Sequence, residues 1–114
     1  MGTTTLTVVC NQNNGYKIKV SAANLTLTGA DPIAPIASPS ATVTGYNITP
    51  STEVTGATTT PVTSTTATEA VVKGTASAAT GDAYTFTYGI GIAPGTTAGT
   101  YTGDVVYTLV QQLN

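Results

Sequence analysis

The last part of the chain carries the clearest alternation of apolar and polar positions. Between residues 98 and 110, four apolar side chains fall on one side of an extended chain: Tyr101, Val105, Tyr107 and Leu109. Successive side chains of a strand point to opposite faces, so this alternation is typical of a strand buried on one face. The preceding Pro-Gly-Thr-Thr-Ala-Gly run favours a turn. The pattern predicts a closing strand of an antiparallel sheet.

The same alternation recurs near the start of the chain. Residues 3–10 form a first predicted strand, in which threonines alternate with apolar residues, and residues 16–21 form a second. Asn14 and Gly15 lie between them, and Asn-Gly is a strong signal for a hairpin turn because both residues tolerate positive φ. We therefore expect the first two strands to form a hairpin.

Further short strands are predicted along the middle of the chain. Leu25 and Leu27 indicate a short third strand, and residues 31–40, with three prolines, indicate a loop. Residues 41–49 return to β character and are expected to end at Pro50. The later predicted strands cover residues 69–76 and 83–92.

The Thr-rich segment 51–68 has two interpretations. It is either a long exposed loop or a pair of thin edge strands around Val54 and Val62, with a turn near Gly56. We favour the strands, because a structureless stretch of this length is uncommon inside a compact domain.

Counted together, these segments give seven to nine short strands separated by turns, and no helix. This pattern predicts an all-β fold, an immunoglobulin-like antiparallel β-sandwich. At 114 residues the chain has the length of a single domain spanning residues 1–114. We interpret it as a domain excised from a larger exported protein.

Composition narrows the classes of partner. Only 7% of the residues are charged, Lys and Arg together number three, and the net charge is −2. Because such a chain has no basic patch to neutralise phosphates, we expect neither nucleic acid nor an anionic membrane surface as a partner. No apolar run approaches the length that spans a bilayer, so membrane insertion is not expected either.

The chain also lacks the residues of common catalytic sites. It contains no histidine, which excludes a Ser-His-Asp or Cys-His arrangement and removes the commonest metal ligand. The five carboxylates are dispersed rather than clustered, so we expect no enzyme activity, no metal site and no cofactor. The single cysteine, Cys10, is interpreted as a buried side chain on the first strand, or alternatively as the donor of an intermolecular disulfide.

Two motifs give the chain a resemblance to known domains. The run AGTYTGDVVYTL at residues 98–109 and NGYKIKV at residues 14–20 resemble the ends of secreted bacterial cell-surface domains. These include WxL-type domains, spore-coat-U-like pilin domains and fimbrial subunits. The chain departs from the WxL pattern because Tyr107 stands where a tryptophan is expected, and it contains no tryptophan. The resemblance implies a β-sandwich, export and a role at the cell surface.

The lysines of the second predicted strand have two interpretations. Lys17 and Lys19 share one face, where they are expected to be solvated and to protect a sheet edge. Surface-adhesin sandwiches suggest a second role, an intramolecular isopeptide bond between a lysine near the start and an asparagine near the end, helped by a buried acid. The residues that fit this second role are Lys17 or Lys19, Asn114, and Glu69 or Asp104 as the acid.

These observations favour a non-catalytic structural or adhesive module of a cell-surface protein, pilus or coat. Its partners would be neighbouring subunits or domains of the same assembly, joined by strand addition. The expected donor segment contains Thr3, Leu6 and Val8, and the expected acceptor is the strand at residues 83–92 or 101–110. The alternatives are a module that binds a carbohydrate or a host protein, through its tyrosines or residues 11–14, and an accessory domain of a secreted hydrolase.

Overall fold

The computed structural model describes residues 2–112, and 49% of these residues lie in strands or isolated β-bridges. The seven strands are β1 (Thr3–Val8), β2 (Tyr16–Ala22), β3 (Gly45–Ser51), β4 (Ala57–Thr59), β5 (Thr68–Lys73), β6 (Asp82–Gly91) and β7 (Val105–Gln111). They form two antiparallel sheets, and residues 2–112 contain no helix. The predicted all-β sandwich is therefore confirmed, at the lower end of the expected strand number.

The order of the strands is that of an immunoglobulin constant domain with its two terminal strands exchanged. One sheet has the order β1-β6-β3 and the other β4-β5-β2-β7. In an immunoglobulin constant domain the sheets are A-B-E-D and C-F-G. Strands β2 to β6 match B to F in chain order, but the last strand occupies position A and the first occupies position G. Both terminal strands are consequently edge strands.

The core lies between the two sheets and is centred on aromatic side chains. Tyr16 of β2 meets Tyr84 of β6 edge to face, with ring centroids 6.2 Å apart. Phe86 packs against Tyr107 of β7 at 5.0 Å. Tyr16, Tyr84 and Phe86 are fully buried. The aliphatic residues packed between them are fully buried too: Ile18, Val20, Ile33, Ile48, Val62 and Val71. Inward positions recur every second residue along β2 and the first half of β6, as the alternation predicted.

The predicted hairpin between the first two strands is wrong. The turn itself is present, because the Gly15 amide donates to the Gln12 carbonyl at 2.9 Å and Gly15 has φ of 85°. However, β1 pairs with β6 and β2 pairs with β5 and β7, so the chain crosses from one sheet to the other. A turn motif specifies where the chain reverses, whereas pairing also depends on which strand offers the larger buried face.

The Thr-rich segment is ordered into short edge structure. Its strand, β4, pairs with β5 and follows a turn at Gly56, where the Ala57 amide donates to the Val54 carbonyl. Val62 is fully buried and bridges Ile48 of β3. The segment thereby joins the β4 edge of one sheet to the β3 edge of the other and closes that side of the sandwich.

Three predicted boundaries differ from the structure. Pro50 does not end β3 but lies within it, opposite Phe86, at a sheet edge where a missing amide is tolerated. The third predicted strand is reduced to isolated bridges, Leu25 with Ile33 and Thr26 with Thr102. The closing strand begins only at Val105, and the residues before it pair with the segment after β2 through the Thr26–Thr102 bridge and the Ala23 amide, which donates to the Asp104 carbonyl.

Candidate functional site

The two terminal strands present long, uncharged edges. Within residues 2–112, the outer edges of β1 and β7 have no neighbouring strand. Their sequences, TTTLTV and VVYTLVQ, contain no charged residue and no proline. Charges, prolines and short length are the usual protection of an edge against pairing with another chain. β1 and β7 lack this protection, whereas β3 contains Pro50 and β4 has only three residues.

The lysines expected to protect an edge lie elsewhere. Lys17 and Lys19 are on β2, which is a central strand between β5 and β7. Their predicted role in shielding an edge is therefore wrong, since β2 has no free edge. The sequence alone did not reveal this, because a charged outward face looks the same on an edge strand and on a central strand.

The sandwich is open along the side formed by β1 and β7. Leu109 points inward from β7, yet it is 50% exposed. Leu6 of β1 and Tyr107 are only partly buried. Ile90, on the inward side of β6 beyond the start of β1, is also exposed. Inner-face side chains remain accessible here because no further strand lies between the two terminal strands in the described part of the chain.

The donor segment predicted from the sequence forms β1 and pairs with β6. Its register runs from Thr3 opposite Thr87 to Val8 opposite Asp82. Only Val8 is buried, whereas Thr3 is exposed and Leu6 is half-buried. The hydroxyls of Thr4 and Tyr88 are hydrogen-bonded at 2.9 Å, which adds a polar contact at the inner face. The strand is thus held mainly by its backbone ladder and buries little apolar surface.

The predicted acceptor strands differ in what they offer. β6 is a central strand, and β1 already occupies one of its edges over residues 82–87. An incoming strand could pair with β6 there only if β1 of the same chain left. The outer edge of β7, by contrast, has no neighbouring strand within the described residues.

A buried ion pair, which the sequence analysis did not identify, joins the two sheets near the start of β6. The Lys73 ammonium donates to Asp82 Oδ2 at 2.8 Å, and the two residues are 7% and 5% exposed. Lys73 also donates to the Ala76 carbonyl at 3.0 Å. Lys73 follows Val71 at a spacing of two, so strand periodicity would have placed it on the buried face.

Tyrosines complete this buried polar cluster. The Tyr16 hydroxyl donates to Asp82 Oδ2 at 2.6 Å, and the hydroxyls of Tyr16 and Tyr84 are hydrogen-bonded. The Ala78 amide donates to Asp82 Oδ1 at 3.1 Å. Every buried side-chain nitrogen or oxygen within the described residues has a hydrogen-bond partner, as a low-dielectric interior requires.

The cluster shifts the pKa values of its members in opposite directions. Burial raises the pKa of Asp82, but hydrogen bonds from Lys73, Tyr16 and the Ala78 amide, with the Lys73 charge, outweigh it and hold the pKa below its ordinary value. Burial, with the hydrogen bond to Asp82, raises the pKa of Tyr16. Asp82 is therefore ionised and Tyr16 neutral at neutral pH, which suits a structural ion pair.

An open groove of about 950 Å³ lies beside this cluster. Lys73 and Asp82 lie at its base, and the segments 51–55 and 76–78 form its walls. The walls carry hydroxyl groups and Glu53 but no aromatic side chain. All six tyrosines of the chain are buried or half-buried. Aromatic surfaces on which a sugar could stack are therefore not gathered on the exterior.

The residues proposed for an isopeptide bond are placed as follows. Lys17 forms an exposed ion pair with Glu69 at 3.0 Å. Lys19 and Asp104 are exposed, and Asn114 lies outside the described residues. Neither candidate acid is buried, although the proposed chemistry needs a buried one.

Cys10 is a free, buried cysteine that follows β1. Its amide donates to Ser77 Oγ at 2.8 Å, and its carbonyl accepts from the Ser77 amide at 2.8 Å. The buried-side-chain interpretation agrees with this position. An intermolecular disulfide would require the segment around Cys10 to open first.

Residues 2–112 hold neither a cluster of metal-ligating side chains nor a membrane-spanning helix. No group of three or more His, Cys, Asp or Glu side chains comes together within residues 2–112. The same residues contain no helix that is long and apolar enough to cross a bilayer. Comparison with protein-family models, with curated proteins and with solved structures found no match to this chain.

Proposed function

We propose that this domain is a non-catalytic structural module that joins copies of itself by strand addition, with β1 as the donor. In the assembly, β1 of one copy leaves its own β6 and pairs with β6 of the next copy. The resemblance to cell-surface, coat and fimbrial domains suggests that such an assembly would lie outside the cell.

The observation that carries this proposal is the placement of β1. It is the first strand, it lies at an edge, and it is continuous with β2 only through residues 9–15. A strand that fits β6 of its own chain fits β6 of an identical chain equally well, so exchange needs no new interface. The small apolar area that β1 buries keeps the free energy needed to detach it low.

The connection between β1 and β2 supplies the hinge. Val9 is 68% exposed, and Cys10 is held to Ser77 by two hydrogen bonds, one to the Ser77 hydroxyl and one from the Ser77 amide. The residues that must rearrange on exchange are therefore 11–15, which contain the Asn-Gly turn. Straightening this turn would direct β1 away from its own sandwich.

The first test is the solution mass of the chain over a range of concentrations, by light scattering coupled to size exclusion, with and without a reducing agent for Cys10. We expect multimers that persist under reduction. A monomer at every concentration would refute strand exchange by this domain.

A designed disulfide identifies the strand involved. Thr5 faces Thr85 in the ladder between β1 and β6, so the double variant T5C/T85C, made with Cys10→Ser, places two thiols across this pair. Oxidised as a monomer, it should be locked and unable to multimerise until reduced. Oxidised after multimers form, it should give covalent multimers on a non-reducing gel. Multimers whose cross-link stays within one chain would instead indicate association through another edge, such as β7.

A further inference from the structure

The two ends of the described chain lie at opposite ends of the sandwich. The Gly2 carbonyl accepts from the Tyr88 amide at 3.1 Å, near the end of β6. The Gln112 amide donates to the Gly15 carbonyl at 2.9 Å, just before the start of β2. The distance between these two positions along the strand axis depends on the relative direction of β2 and β6 in the two facing sheets.

Side-chain contacts across the core give that direction. The start of β2 faces the start of β6, because the Tyr16 hydroxyl bonds to Asp82. The end of β2 faces the end of β6, because the Tyr46 hydroxyl donates to the Ala23 carbonyl and Tyr46 pairs with Ile90. Strands β2 and β6 therefore run in the same direction in the facing sheets.

It follows that the two terminal strands also run in the same direction. β1 is antiparallel to β6 and β7 is antiparallel to β2. The chain enters β1 at the Ile90 end of the sandwich and leaves β7 at the Tyr16 end. With about 3.3 Å per residue, the six steps from Tyr88 to Asp82 separate the two points by roughly 20 Å along the strand axis.

We infer that this domain is built to carry tension along its length, with the β1–β6 and β2–β7 ladders loaded in shear. A pull between the two ends is directed along both terminal strands. The hydrogen bonds of an antiparallel ladder are perpendicular to the strands. Such a force therefore acts on all the rungs together, six residue pairs in one ladder and seven in the other, instead of opening them one at a time.

The inference goes beyond strand addition and does not depend on it. A single chain has this geometry with its own β1. In an assembly with exchanged strands, tension would pass through the same ladder between β1 and β6, donated by the neighbouring copy. A chain that stays monomeric would refute strand exchange and leave the mechanical inference intact.

The low burial of β1 is compatible with mechanical strength. Resistance to a force is set by the rate of unfolding along the pulled direction and not by equilibrium stability. A strand that is held mainly by its ladder can detach from its sheet now and then at equilibrium. The same strand can still resist sliding along its neighbour under force, because sliding must break all its hydrogen bonds together.

Single-molecule pulling in two directions tests the inference. Handles attached through G2C and Q111C, with Cys10→Ser, pull along the strands from opposite ends. Handles through V9C and Q111C, in the same background, pull from one end, since Val9 follows Val8 opposite Asp82. Gly2, Val9 and Gln111 are all exposed. The second direction bypasses β1 and peels β7 from β2 one hydrogen bond after another.

We expect a several-fold higher rupture force for the lengthwise pair at the same loading rate, with urea denaturation showing equal stability of the two variants. The lengthwise pair should unfold in one step and lengthen by about 350 Å, which is roughly 3.4 Å per residue between the handles less the roughly 20 Å that separates them in the folded domain. Equal forces in the two directions would overturn the inference. So would a first step at low force that frees only the chain before β2, because β1 would then not bear the load.

Discussion

The buried ion pair offers the sharpest test of how the two sheets are held together near the start of β6. Replacing Lys73 by methionine keeps much of the side-chain volume and removes the cation. Asp82 Oδ2 then loses a donor at 2.8 Å and keeps the Tyr16 hydroxyl at 2.6 Å. The carboxylate remains buried with its charge uncompensated.

The expected loss follows from this geometry. Removing one partner of a buried ion pair destabilises a protein by about 3–5 kcal/mol, because an unpaired charge stays in a low-dielectric site. A domain of this size has a free energy of unfolding of about 5–15 kcal/mol. Lys73→Met should therefore remove at least about a fifth of the free energy of unfolding of the domain, and all of it if the domain is only marginally stable.

A matched control exists in the same sheet. Lys17 pairs with Glu69 at 3.0 Å, but this pair is exposed. Solvent screening limits such a pair to about 0–1 kcal/mol, so Lys17→Met should have a small effect. The two variants remove the same charge by the same substitution and differ in the burial of the partner.

Urea denaturation at pH 7, followed by far-ultraviolet circular dichroism, measures both losses. A double-mutant cycle with Asp82→Asn then separates the coupling of the pair from the loss of each residue. We expect the double variant to lose less than the sum of the single losses. If Lys73→Met were no more destabilising than Lys17→Met, the ion pair would not stabilise the fold and the reasoning would be refuted.

Two further outcomes are expected. Because the folded-state pKa of Asp82 is lowered, its charge stabilises the fold above about pH 4, the ordinary pKa of aspartate, and this contribution is lost as pH falls through the folded pKa. The urea midpoint of the wild type should therefore fall more steeply below pH 4 than that of Asp82→Asn. Parallel curves for the two proteins would contradict the assignment. Ile18 and Leu109 face each other in the ladder between β2 and β7, but only Ile18 is buried. Ile18→Ala should lower the free energy of unfolding by about 2–5 kcal/mol, and Leu109→Ala should lower it by less. A loss of similar size for Leu109→Ala would show that the open side of the sandwich is covered in solution.

The class of fold could be predicted from the alternation of the sequence. Tyr16, Ile18 and Val20 were expected on one face of a strand and are all buried. The period of two is a property of the extended backbone, so it is present in the sequence whichever strands pair. The absence of helix in residues 2–112 follows from the same composition, rich in threonine, valine and tyrosine.

The tertiary structure alone decided the pairing of the strands. The Asn-Gly turn predicted a hairpin, yet β1 pairs with β6, some eighty residues along the chain. A turn is a local property of a few dihedral angles, whereas strand pairing depends on the apolar area that each arrangement buries. The position of both terminal strands at edges, and hence the proposals of strand exchange and of load in shear, rests on that pairing.

The buried ion pair shows the same division. Lys73 and Asp82 are nine positions apart, and Tyr16, which also donates to Asp82, lies more than fifty residues before Lys73. Alternation could have placed Lys73 on an inward face, but it could not supply the groups that make a buried charge acceptable. Those groups come from two sheets, and the sequence determines their identity while only the packing of the sheets brings them within hydrogen-bonding distance.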